Sequence, residues 1–177
     1  MMFTIRRASL ADRTPLEILI AESVRGLSAS DYSPAQIEAA IGNTMGVDSE
    51  LITDGTYFVV ESDGAIIACG EWSKRETLFG ADNKPGRVSR LLAPTTEAAR
   101  IRAFFVHPGF ARQGIGRMLL EKCESEIRNA GFSRAQLMAT LPGRRLYEKY
   151  GYVAGDLVVY PITDAVSIEF YPMAKTL

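Results

Sequence analysis

The sequence predicts a mixed α/β (α+β) fold, with six to seven strands and about four helices in a single domain over residues 1–177. Three observations carry this. A β-branched and aromatic run, Ile101 to Val106, stops at His107-Pro108-Gly109 and leads into a long amphipathic helix that Gly131 closes. Two further apolar runs, 56–61 and 65–72, flank the turn signature Ser62-Asp63-Gly64 and make an antiparallel hairpin. Helix and strand periodicities fill the rest of the chain, with no repeat or linker to divide it.

Taken in order, Phe3-Thr4-Ile5-Arg6-Arg7 alternates and predicts the first strand. Ser9 or Asp12 can cap the next helix, in which Leu16, Leu19, Ile20, Ser23, Val24 and Leu27 make one mostly apolar stripe. Pro15 is tolerated in its first turn, where an N–H would lack a partner in any case. Ser33-Pro34 opens a second helix by the same chemistry, with Ile37, Ala40 and Ile41 inward. In the second hairpin strand, period two puts Ala65, Ile67, Cys69 and Glu71 on one face and Ile66, Ala68, Gly70 and Trp72 on the other. Residues 74–99 are polar and broken by Gly80, Pro85, Gly86 and Pro94; a connection this long is a mobile excursion or a substrate-gating loop. The central helix buries Ile115, Met118, Leu119, Cys123, Ile127 and Ala130, at spacings of three and four. Ala135 to Ala139 is the next strand, Pro142 fits the first position of a helix that Gly151 ends, and 152–160 and 167–173 are two closing strands.

Composition excludes several classes. Net charge is −1 with no lysine or arginine block, so nothing draws the surface as a whole to nucleic acid or to an anionic membrane. No apolar run reaches the roughly 18 residues of a membrane span, and the charged start of the chain lacks a signal-peptide core. Cys69 and Cys123 have no metal-ligand spacing and read as packed thiols in a reducing compartment, so the expectation is a soluble cytoplasmic protein without a metal.

The chemistry concentrates at Arg112-Gln113-Gly114-Ile115-Gly116. Glycines at a helix start let the backbone approach a ligand, and the unpaired amides of the first turn form an anion site, so a phosphate is expected there. A dinucleotide fingerprint would need a third glycine at Leu119, and a P-loop would need Lys-Ser/Thr where Ile115-Gly116 stands. Both motifs are excluded. Close helix packing is the alternative use of the two glycines.

The order of strand, Val-His-Pro, Ala-Arg-Gln-Gly-Ile-Gly and amphipathic helix, followed by Leu-Tyr-Glu-Lys-Tyr-Gly-Tyr, resembles the GCN5-related N-acetyltransferase (GNAT) superfamily over nearly the whole chain. The family signature, Gln/Arg-x-x-Gly-x-Gly/Ala, matches at Gly114 and Gly116 and departs at Ala111, a loss that Arg112 or Arg117 can offset. The resemblance implies a mixed, mostly antiparallel sheet whose two central parallel strands splay apart. It also implies that the amides of Arg112 to Gly116, helped by Arg117, bind the pyrophosphate of acetyl-CoA. Phe105 and Val106 occupy the positions that meet its pantetheine arm, with a main-chain amide near them as oxyanion donor.

Acyl transfer to an amine further needs a base for the ammonium and an acid for the departing thiolate. Tyr147 matches the family tyrosine four residues before the glycine, and a phenol, protonated at neutral pH, can serve as the general acid. Glu71, a carboxylate at the end of an otherwise apolar strand face, is the candidate general base, with a solvent-facing glutamate as the alternative. His107 reads as a turn residue, Tyr150 as core, and Trp72 as either pocket wall or core. The implied activity is transfer of an acetyl group from acetyl-CoA to a primary amine, by direct attack in a ternary complex. A non-catalytic acyl-CoA-binding sensor is the alternative. The acceptor, a small amine or a protein amino group, stays open, as does a homodimer formed through the closing sheet edge.

Overall fold

A computed structural model describes residues 2–177. The strands are β1 (Thr4–Arg7), β2 (Tyr57–Ser62), β3 (Ala65–Ser73), β4 (Ala99–Val106), β5 (Arg134–Thr140), β6 (Val153–Ala154), β7 (Val158–Pro161) and β8 (Ser167–Thr176). The helices are α1 (Arg13–Leu27), α2 (Pro34–Ala40), α3 (Ser49–Thr53), α4 (Ile115–Asn129) and α5 (Arg144–Lys149), with 3-10 turns at Leu10–Asp12 and Pro108–Phe110. All eight strands share one sheet in the order β1-β2-β3-β4-β5-β8-β6, with β7 beside β8. Only β4 and β5 run parallel among the described residues.

Local sequence accounts for most of this. Asp63 (φ 50°) and Gly64 (φ 81°) both adopt positive φ in the two-residue turn between β2 and β3, the backbone a tight hairpin requires. Ser33 caps α2 by accepting the Gln36 N–H at 3.3 Å. The sheet is covered on both faces. Leu119, Leu120, Cys123 and Ile127 of α4 pack on Phe58, Val60, Trp72, Ile101 and Leu137. On the other face Leu16, Ile20 and Val24 of α1, with α2 and α3, cover Tyr57, Val59, Cys69 and Phe170.

Several expectations are corrected. Residues 152–160 form two strands, β6 and β7, end to end on one edge of β8. Where they part, Pro172 of β8 has no N–H to give, and its carbonyl takes the Gly155 N–H at 2.8 Å. A fifth helix, α3, is present, capped by Asp48, which accepts the Glu50 N–H at 3.1 Å. Pro142 lies in the turn before α5, whose N-cap is Gly143. Leu27 ends the stripe of α1 exposed. The alternation of β3 holds from Ala68 to Trp72 but slips at a bulge, where Glu61 faces Ile66 and Val60 faces Ala68, so Ile67 joins the α4 core and Ile66 the other. The segment between β3 and β4 is pinned rather than free: Arg75 meets Asp54 at 2.7 Å, Arg87 meets Asp48 at 2.8 Å, and Asp82 meets Arg13 at 2.8 Å.

Two irregularities in the centre open the site. β4 and β5 pair only at Ala99–Ala135 and Arg100–Gln136, then diverge. β4 also bulges: Glu71 faces Arg102 and Cys69 faces Phe105, leaving Ala103 (φ 47°) and Phe104 opposite Gly70. A Cβ at Gly70 would lie 2.8 Å from the Phe104 ring, so only glycine seats this bulge.

Candidate functional site

The divergence of β4 from β5 opens a cavity of about 990 Å³, bounded by β4, the start of α4, α5, the end of α1 and the 78–80 segment. At one end stands the glycine loop. His107 caps the short turn before it, its Nδ1 accepting the Gly109 N–H at 3.0 Å, and so is a turn residue as expected. Arg112 (φ 65°) and Gly114 (φ 85°) then reverse the chain into α4. Met118, whose N–H reaches the Gly114 carbonyl at 3.0 Å, has the first bonded amide of the helix. Those of Arg112 through Arg117 have no acceptor among the described residues. The glycines divide the work. A Cβ on Gly114 would meet nothing within 4 Å, so its use is the left-handed backbone; on Gly116 it would come 3.2 Å from Leu146, so its use is close packing on α5.

A row of free amides at the head of a fifteen-residue helix suits a polyanion. Arg112 stands exposed at this mouth, and Arg117 is shared with Glu121 at 2.7 Å. Arg145 and Lys149 of α5 line the same mouth and were not anticipated; their spacing of four on one helix was the available signal. Ile115 and Gly116 lie within the lining, together with Phe105 and Val106.

Farther in, Tyr147 of α5 is buried against Phe104 and Tyr152, with ring centroids 6.0 and 5.8 Å away. Its hydroxyl makes no hydrogen bond among the described residues, and burial pushes the phenol above its usual range, so it keeps its proton at neutral pH. Tyr150 is half-buried and lines the cavity rather than sitting in the core. Trp72 is core, edge-on to Phe132 at 6.5 Å.

Glu71 is neither at a strand end nor in solvent. It sits inside β3, wholly buried, at the cavity wall, and neither carboxylate oxygen has a partner. The nearest cation is Arg102, whose Nε is 3.8 Å from Oε1, but Arg102 is turned to Asp48 at 2.7 Å. Burial therefore dominates and pushes the Glu71 carboxyl well above the ordinary carboxylate range. Arg102 pulls it back and Asp48 adds to the rise.

The strand edge between these two ends carries one further contact. Phe105 and Val106 are paired to Cys69 and Ala68 of β3, and the Val106 N–H donates to the Ser23 hydroxyl of α1 at 3.2 Å. Cys69 and Cys123 are buried and unbridged; burial pushes the Cys69 thiol up to about 12, so neither is a ready nucleophile. The described residues hold no cluster of metal-ligating side chains and no helix long and apolar enough to cross a membrane.

A family model described as "Acetyltransferase (GNAT) family" matches residues 22–152. No curated protein matches the chain. Among solved structures, the PaiA N-acetyltransferase of Thermoplasma acidophilum, in complex with coenzyme A, is 18% identical with a TM-score of 0.68 and full coverage of both chains. A GCN5-related N-acetyltransferase of Rhodopseudomonas palustris is 18% identical with a TM-score of 0.73, covering 100% of this chain and 97% of that one. The putative acetyltransferase YncA of Salmonella typhimurium, with its cofactor acetyl-CoA, is 17% identical with a TM-score of 0.65, covering 100% and 95%. At such identities the likeness is one of fold.

Proposed function

The chain belongs to the GNAT acetyltransferase family, and from that premise we propose that it transfers the acetyl group of acetyl-CoA to a primary amine by direct attack in a ternary complex. It is an N-acetyltransferase with acetyl-CoA as co-substrate. The observation that carries the reading is the run of amides from Arg112 to Arg117, unpartnered among the described residues, of which all but that of Gln113 belong to residues lining the cavity. Amides given to a charged group contribute roughly 1.5–3 kcal/mol each, so this run can hold a pyrophosphate without the side chain missing at Ala111.

Bound acetyl-CoA supplies the activated acetyl group. Arg112, Gly114, Ile115, Gly116 and Arg117, which line the cavity, hold its phosphates together with the amide of Gln113, which is exposed just outside the lining, and Arg145 and Lys149 add positive charge at the same mouth. Phe105 and Val106 line the path of its extended arm. The Tyr147 hydroxyl holds a proton for the departing sulfur. Glu71 takes a proton from the acceptor ammonium, directly or through water. As a base it must first be ionised, which its burial resists, so the rate rises with pH through its raised pKa. Residues 1–177 act as one domain in this reading, and the two unbridged cysteines fit a cytoplasmic setting.

Release of coenzyme A thiol from acetyl-CoA across a panel of amines tests the reading. Turnover with one amine class, lost in Tyr147→Phe while acetyl-CoA still binds, supports it. A silent panel with acetyl-CoA binding intact in calorimetry would return the chain to a sensor.

A further inference from the structure

The cavity draws its lining from both faces of the sheet: Leu146, Tyr147 and Tyr150 belong to the core under α4, whereas Met45, Phe79 and Phe170 belong to the core under α1. Its charges divide the same way. Arg112, Arg117, Arg145 and Lys149 all lie on the glycine loop, α4 or α5. Glu71 is on the α1 side, since it shares a face of β3 with Cys69. The one cation lining that side among the described residues is Arg102, and it is taken up: Nη1 meets Asp48 at 2.7 Å, Nη2 donates to the Gly80 carbonyl, and Nε faces Glu71 at 3.8 Å. Thr44 lines the cavity here too, buried, with no partner for its hydroxyl. The apolar part of this wall is fixed in place. The Phe79 ring lies 5.2 Å from Phe170 and 5.0 Å from Tyr160, and Lys84 Nζ stands 4.7 Å over it from outside the lining. The Ala81 N–H, bonded to the Asn43 carbonyl at 2.6 Å, joins this segment to the loop of Thr44 and Met45.

We propose that this side takes the acceptor and selects a primary amine with an apolar, aromatic body and no carboxylate, Phe79 being the residue that reads the body. This inference rests on the acetyltransferase reading above. The ammonium end has Glu71 and the Thr44 hydroxyl to accept its hydrogens, two buried groups that otherwise lack partners. The body lies against Met45, Phe79 and Phe170, where burying a phenyl-sized group is favourable and an edge or face of a ring is available to it. A carboxylate on that body would be buried beside Glu71 with no cation left to meet it, and Asp31, at the exposed rim of the same lining, repels it on the way in. The free positive charge of the cavity is all on the other side, where phosphates need it.

Matched acceptors test this on the unaltered protein, with coenzyme A thiol release as the readout. Phenethylamine is expected to exceed ethylamine in kcat/KM by about 10–10²-fold, the worth of burying the ring. It is expected to exceed L-phenylalanine, which adds only the carboxylate, by about 10²-fold or more. Phenylalanine amide, which has the bulk without the charge, is expected to fall close to phenethylamine. In Phe79→Ala the phenethylamine-to-ethylamine ratio is expected to drop about tenfold, and in Phe79→Leu to keep most of its value; a ratio cancels any loss common to both amines. L-phenylalanine within about threefold of phenethylamine overturns the proposal, as does 1,4-diaminobutane turning over faster than phenethylamine, or a ratio that Phe79→Ala leaves unchanged. Each of those results leaves the acetyltransferase reading standing. No turnover with any amine, acetyl-CoA binding intact in calorimetry, would remove that reading and this inference with it.

Discussion

Burial pushes the carboxyl of Glu71 and the phenol of Tyr147 the same way, toward the protonated form, and the two roles need opposite things from it. For Tyr147 the retained proton suits an acid. Tyr147→Phe is expected to lower kcat about 10²–10⁴-fold, in the range of general acid–base contributions, with acetyl-CoA binding unchanged by calorimetry. For Glu71 the proton must leave before it can act, so kcat is expected to climb with pH, and Glu71→Gln to flatten that climb in a pH–rate profile. Stability carries the opposite slope. Where the folded carboxyl keeps a proton that the unfolded chain has released, stability falls as pH rises above the ordinary value of 4.5 toward the raised one. Thermal melts of Glu71→Gln at about pH 5 and pH 8 are expected to show a smaller fall than the unaltered protein. Neither environment was legible in the sequence: period two placed Glu71 on a face, but its lack of a close cation follows from Arg102 turning to Asp48, residues distant in the chain that local pattern cannot pair.

Elements with a local signal were read well, and those set by a neighbour were not. The hairpin turn, the glycine loop and the amphipathic face of α4 as far as Ile127 follow from local spacing, whereas Ala130, expected inward, caps the helix end and is exposed. The β6–β7 break is set by Pro172 on another strand, the slip at Ile67 by register with β2, and α3 is too short to show a period. The glycines give two tests at this scale. Gly114→Ala adds a side chain in open space but in a left-handed backbone, at about 1–2 kcal/mol. It is expected to weaken acetyl-CoA binding, measured by calorimetry, more than Gly116→Ala, which presses only on the flexible end of Leu146. Gly70→Ala forces the Phe104 ring out of the β4 bulge and is expected to destabilise the fold by about 1–3 kcal/mol in urea unfolding, as overpacked cores do.

For the whole molecule the sequence left residues 74–99 open, and the structure ties them down with charges distant in the chain. Arg87 of that segment and Arg102 of β4 converge on buried Asp48, and both hold its carboxyl below the usual range despite burial. Arg102→Met leaves Asp48 one partner short in the interior, and breaking buried pairs this way costs about 3–5 kcal/mol, readable as a lower urea midpoint. Arg87→Ala is expected to expose 74–98 to limited proteolysis that the unaltered protein resists. The separation of β4 from β5, finally, makes the sheet a rung short, and an extended molecule laid in the opening completes the ladder. The melting temperature thereby becomes a gauge of acetyl-CoA. At a hundred times its Kd a ligand confined to the folded state adds about 2.7 kcal/mol, or roughly 5–10 °C for a chain of this size.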